Sequence, residues 1–199
     1  MRILVIGASG TIGAAVVAAL SGGNQIVAAS RKSSAAPVDM AEPDSIRAMY
    51  RGLGKVDAIV CAAGQARFAP LPKLGDDDFR FCLDNKLMGQ VNLVRYGLDH
   101  VADGGSITLT SGVLALRPMP GSGAISLVNA GVEGFARAAA LEEPRGIRVN
   151  VVSPPWVTET LVALKMDPSP GLPAAAVARA YVRSVTGSET GAVIEPKAD

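Results

Sequence analysis

The stretch "ILVIGASGTIGAAVVAALSGG", residues 3–23, decides the fold. With Arg2 its first half reads "RILVIG" (2–7), a short continuous apolar run rich in Ile, Leu and Val, as in a strand buried on both faces. Its second half, "TIGAAVVAALSGG" (11–23), has the composition of a helix and closes on glycines. Between them, "GASGTIG" sets Gly7, Gly10 and Gly13 at the end of the strand and the start of the helix. A signal-peptide core would be one unbroken apolar stretch, whereas Gly7, Ser9, Gly10 and Gly13 interrupt this one. No run reaches the ~18 apolar residues of a membrane span, so a soluble chain is expected, with no membrane partner.

The alternation continues to the end of the sequence. Strands are expected at "NQIVAAS" (24–30), "VDAIVCAAG" (56–64), "GSITLTSG" (105–112), "GIRVNVVSP" (146–154) and "GAVIE" (191–195). Helices are expected at "EPDSIRAMYRGLG" (42–54), as one long element over 76–101, and over 121–141 and 173–185, with a Pro-rich loop before the last. The long helix opens on Asp76, Asp77 and Asp78, which complement its dipole and have no metal partner nearby. Continuous apolar strands alternating with helices predict an α/β fold: one doubly wound parallel sheet with helices on both faces, a Rossmann fold. With 199 residues and no linker or repeat, the whole chain, 1–199, is expected to be one domain.

Composition narrows the partners. Hydrophobic residues make up 49% of the chain but aromatics only 4%, so the core is built from Ala, Val, Leu and Ile. A net charge of +1 with scattered cations, and few rings for bases to stack on, argues against nucleic acid. Cys61 and Cys82 lie in apolar contexts without metal-ligand spacing, which predicts buried, reduced thiols, a cytoplasmic protein and no metal. His100, the only histidine, falls at the end of the long helix, far from the glycine turn, and is read as a dipole partner rather than a catalyst.

A glycine turn between strand and helix lets backbone approach a pyrophosphate, which rests on the helix N-terminus. The end of the second strand distinguishes between dinucleotides. A carboxylate there would hold a ribose 2′-hydroxyl; "AASRKSS" instead supplies Ser30, Arg31 and Lys32, suited to a 2′-phosphate. NADP(H) is therefore expected in preference to NAD(H).

Over essentially its full length the chain also resembles the short-chain dehydrogenase/reductase family. The resemblance rests on "VDM" (38–40), "CAAG" (61–64), "GVEGFARAAALE", "RGIRVNVVSPPWVTET" and "TGSETGAVI", in the family's order. Two departures are visible: Pro154-Pro155 stands for the usual Pro-Gly, and the middle glycine of "GASGTIG" falls one residue early. The resemblance implies that Gly7, Ser9, Gly10, Thr11, Ile12 and Gly13 surround the pyrophosphate and that Asp39 and Met40 lie at the adenine. It adds Ala62, Ala63, Gly64, Lys86, Pro154, Trp156 and Val157 to the cofactor site. It further implies a homodimer or homotetramer built through the helices 76–101 and 121–141.

In such enzymes a Tyr is the general acid/base, and a Lys four residues later lowers its pKa from about 10 and holds the nicotinamide ribose. Aligning "NAGVEGF" with the family pattern puts Ile125 at the Tyr position and Asn129 at the Lys position. An ungapped alignment of "DNKLMGQVNLVR" (84–95) puts Lys86 where the family carries its catalytic Asn. Lys86 projects from an apolar helical row with Phe79, Cys82 and Leu93, so it should meet an anion, a hydroxyl or a carbonyl, or else extend to solvent. The family's serine falls on Gly112, with Ser111 one residue before it, as carbonyl donor or as a strand-end cap. The expected catalytic set is Lys86, Ser111 and Asn129. The activity this implies is an NADP(H)-dependent oxidoreductase acting on a small carbonyl or alcohol through a non-standard site. The alternative is a non-catalytic NADP(H)-binding sensor or regulatory protein. Trp156, Leu161, Leu164 and Met166 are apolar candidates for the substrate lid.

Overall fold

A computed structural model describes residues 1–32, 35–142 and 145–198. The elements run β1 (Arg2–Ile6), α1 (Thr11–Leu20), β2 (Gln25–Ser30), β3 (Ala36–Pro37), α2 (Pro43–Arg51), β4 (Val56–Cys61), α3 (Asp76–Cys82), α4 (Gly89–Gly97) and β5 (Val101–Thr110). They continue with α5 (Gly123–Ala139), β6 (Arg148–Val152), α6 (Thr158–Ala163), α7 (Ala174–Thr186) and β7 (Val193–Ile194). All strand pairs are parallel, in the order β3-β2-β1-β4-β5-β6-β7. This is the expected doubly wound α/β sheet.

Strand β1 shows why the apolar run is continuous. Leu4 and Ile6 pack to one side with Ile46, Leu93 and Val132; Ile3 and Val5 pack to the other with Val16, Val177 and Tyr181. Both faces of the sheet are therefore buried, and alternation would leave a polar face with no water to meet. The chain leaves β1 towards β2 and β3, then returns to place β4 on the opposite side of β1. Strand order reverses there, and a crevice opens at the carboxyl ends of β1 and β4.

Three local readings are corrected. The helix expected over 76–101 ends its α-helical course at Gly97, and Val101 already pairs with Val56 as the first residue of β5. Val101 is fully buried, and an irregularity in the ladder takes up residues 102–105 of β5 before Ser106 pairs with Ala58. Inside that helix, Leu83–Met88 form a π-helical turn joining α3 to α4, and the wider turn buries both Asn85 and Lys86. The Pro-rich loop contains α6, whose Leu161 is buried. Besides these, the two-residue β3 escaped the sequence reading; it is too short for periodicity to register.

Candidate functional site

The glycine turn fits a dinucleotide on steric grounds. Gly7 has φ +81°, and a Cβ there would lie 2.8 Å from both Ala62 O and Ala63 Cβ. A Cβ on Gly13 would fall 1.9 Å from Gly7 O, so only glycine lets α1 start so close to the turn. No side chain caps α1 at Gly10, which leaves the N–H groups of its first turn available to an anion. Gly7, Ser9 and Gly10 line a crevice of about 330 Å³ together with Ser30, Arg31, Asp39 and Met40. Thr11 opens α1, and Ile12 lines the neighbouring cleft.

The second-strand loop divides. Arg31 is exposed, and among the described residues no ion pair holds it. Ser30 Oγ donates to Lys32 O at 2.6 Å, and Lys32 does not line the crevice. Ser33 and Ser34 of this loop lie outside the described residues. Asp39 is tied back locally, its Oδ1 accepting from Ala41 N at 3.0 Å.

Ala62, Ala63 and Gly64 line both this crevice and a second, more apolar cleft of about 210 Å³. The second cleft is walled by Ile12, Val113, Leu114, Ile125, Trp156 and Val157, with Pro154 and Thr160 at its edge. Lys86 is the one ionisable side chain among its lining residues. Its stem passes beneath Gly64, where a Cβ would come within 2.9 Å of Lys86 Cγ. Its Nζ donates to Ser111 O at 3.0 Å. The side chain does not reach solvent, being only 8% exposed, and burial of the ammonium pulls its pKa down to about 8. Of the partners expected for Lys86, the structure supplies a carbonyl.

Ser111 differs from the expected carbonyl donor. Its hydroxyl, 3% exposed, donates to Glu133 Oε1 at 2.8 Å, so its single proton is engaged away from the cleft. Ser153 Oγ donates to the same oxygen at 3.3 Å, and Arg137 stands 4.0 Å from the other. Asn129 donates through Nδ2 to Gly112 O at 3.4 Å, while its Oδ1 is buried without a partner among the described residues. A Cβ on Gly112 would lie 3.0 Å from Asn129 Nδ2, so Asn129 occupies room that a serine at 112 would claim.

Three supporting residues escaped the sequence reading. Gln90 clamps the end of β5, with Oε1 accepting from Thr110 N at 2.7 Å and Nε2 donating to Thr110 O at 2.9 Å and Lys86 O at 3.2 Å. Asn85 Oδ1 accepts from Gln65 N at 2.7 Å and so fixes the loop after β4. Glu133 completes the set. Gln90 follows Lys86, and Glu133 follows Asn129, by one helical turn, a signal present in the sequence.

Of the lid candidates, Trp156 lines the cleft and meets Phe68 edge to face at 6.1 Å between centroids. Leu161 packs into the core, and Leu164 and Met166 point to solvent. His100 stacks on Tyr50 at 5.1 Å, away from the cleft. Cys61 and Cys82 are buried free thiols. Among the described residues no cluster of His, Cys, Asp or Glu suits a metal ion, and no helix is long and apolar enough to cross a membrane.

The sequence profile of the family described as enoyl-(acyl carrier protein) reductase matches residues 11–194. The chain belongs to the short-chain dehydrogenase/reductase family. It is similar to the protein lin1944 from Listeria innocua, whose crystal structure it matches at 43% identity and a TM-score of 0.94, over 98% of each chain. It matches the crystal structure of a small-chain dehydrogenase in complex with NADPH at 25% identity and a TM-score of 0.87, over 98% of this chain and 95% of that one. It is 31% identical to hydroxynaphthalene reductase arp2 of Aspergillus fumigatus over 113 residues, 56% of this chain and 41% of that reductase. The chain thus spans about two-fifths of that curated relative's length. As a member of this oxidoreductase family, the protein carries a nicotinamide-dinucleotide fold.

Proposed function

We propose that the protein is an NADP(H)-dependent oxidoreductase acting on a small, largely apolar carbonyl compound or its alcohol, with Lys86 as proton donor. The carrying observation is the buried amine: Lys86 is the single ionisable group lining the cleft, fixed on Ser111 O at 3.0 Å, with a pKa lowered to about 8. A dinucleotide bound along the crevice would supply the hydride. Gly7, Gly10 and Gly13 would hold its pyrophosphate, Ser30 and Arg31 its 2′-phosphate, Asp39 and Met40 its adenine end. Lys86, Pro154, Trp156 and Val157 would border its nicotinamide end.

The protein's own contribution is then orientation and a proton. With its hydroxyl proton held by Glu133, Ser111 serves through its carbonyl, which positions the Lys86 ammonium. That ammonium faces a developing alkoxide in an apolar cleft, where its charge is weakly screened. Asn129 stands at the same wall and presents an amide in place of the family's cation. Reduction needs protonated Lys86, so the rate should fall as pH rises through about 8, by about tenfold between pH 7 and pH 9. Exposed Met88 and Leu127, on the long helical element and on α5, support assembly of copies through those helices, which light scattering would test.

The test is a titration with NADPH and, separately, NADH, followed by turnover of a carbonyl panel by the wild type and Lys86→Met. The variant should bind NADPH but lose about 10²–10⁴ in kcat, together with the inflection near pH 8. Turnover that survives the substitution with its pH profile intact overturns the role of Lys86. NADPH binding without turnover across the panel leaves a dinucleotide-binding protein instead.

A further inference from the structure

The surroundings of Lys86 are those of a nucleophile as much as of an acid. Among the described residues no ion pair includes Lys86, and its ammonium donates to a backbone carbonyl, Ser111 O. The titratable groups around it are Cys61 at the end of β4, Cys82 on α3 and Glu133 on α5. Burial pushes the Cys61 thiol up to about 12, which keeps it neutral beside the amine. Glu133 is separated from the amine by Ser111, whose hydroxyl it accepts. Among the described residues nothing anionic contacts Nζ, so none of them requires the charge to stay, and the amine lines a cleft walled by Leu114, Ile125 and Trp156. An unpaired, desolvated lysine in an apolar cavity is a carbonyl-addition site.

We propose that Lys86 binds small aldehydes and ketones covalently, as an imine, without need of a dinucleotide. The lone pair of neutral Nζ forms the new N–C bond to the carbonyl carbon while the C=O π pair moves to oxygen. Oxygen takes one amine proton, giving a carbinolamine. The hydroxyl then leaves with the remaining amine proton as water, and a C=N bond to Nζ results. Hydrolysis reverses the sequence, so occupancy follows the carbonyl concentration. This goes beyond the oxidoreductase reading: the ammonium donates protons, and the neutral amine of the same residue captures carbonyls.

The experiment uses the whole protein with benzaldehyde and sodium cyanoborohydride at pH 7.5, without dinucleotide. The reagent delivers hydride to the imine carbon and solvent supplies the proton, leaving a benzyl group that peptide mass spectrometry locates. At that pH a lysine titrating near 8 holds about 10²-fold more neutral amine than one near 10.4. Benzylation of Lys86 should therefore outpace that of exposed Lys73 and Lys165 by about tenfold or more, after allowing for its weaker basicity. Lys86→Arg, checked for folding by its thermal melt, should lose the fast phase and keep the slow one. Labelling of Lys86 at or below the rate of Lys73 and Lys165 overturns the proposal. Because no dinucleotide is present, that outcome leaves the oxidoreductase reading untouched, and a fast adduct with no NADPH turnover would overturn only the latter.

Discussion

Lys86→Met should stabilise the fold while disabling the site. In the native protein the amine titrates near 8 rather than at the ordinary 10.5, because burial disfavours its charged form. At pH 7 the unfolded chain carries that charge freely, so holding it inside costs about 3 kcal/mol. Removing the amine also leaves Ser111 O without its donor, which returns about 1 kcal/mol of that gain. The net is a stabilisation of about 2 kcal/mol at pH 7, or roughly 5 °C in Tm for a chain of this size. The sign with pH follows from the direction of the shift. Between about 8 and 10.5 the unfolded state binds more protons than the native one, so the wild type gains stability as pH rises through this window. By pH 9.5 the burial cost has dropped to about 1 kcal/mol and the advantage of the variant should be nearly gone. Urea denaturation of both proteins at pH 7 and pH 9.5, followed by circular dichroism, measures this. A variant less stable than the wild type at pH 7, or an unchanged difference at pH 9.5, would refute the picture of an unpaired buried ammonium.

Other substitutions test the remaining walls of the site. Arg31→Ala should lower the ratio of NADPH to NADH affinity by about tenfold, the worth of one charge-assisted contact to phosphate, as read by paired calorimetric titrations. Gly13→Ala drives a Cβ to within 1.9 Å of Gly7 O, so the turn must open; dinucleotide binding should disappear and the melting temperature fall. Glu133→Leu strands the buried hydroxyls of Ser111 and Ser153 and should cost about 2 kcal/mol in chemical denaturation. The three positions are separate in the fold: Arg31 lies on the loop after β2, Gly13 in the first turn of α1, and Glu133 on α5 against Ser111.

The sequence by itself determined the layered sheet and the place of the crevice. Strands such as β1 are apolar on both faces, and a glycine turn between strand and helix has few other uses, so residues 3–23 carried local signals strong enough to survive any tertiary context. That Ile125 and Asn129 stand one turn apart on α5 was equally legible, since a helix preserves spacing. What an isolated lysine does was not legible, because its chemistry is set by what lies opposite it. Only the tertiary structure brought Ser111 O to Lys86, gave the Ser111 proton to Glu133, and placed Asn129 where a serine at 112 would have to fit. Those contacts join residues from α5, the π-helical turn and the end of β5, which are 17 to 25 positions apart. The π-helical turn over Leu83–Met88, which carries the buried Asn85 and Lys86, is likewise not announced by the sequence period. Burial, which no single segment encodes, is what brings the pKa of an ordinary lysine down to about 8.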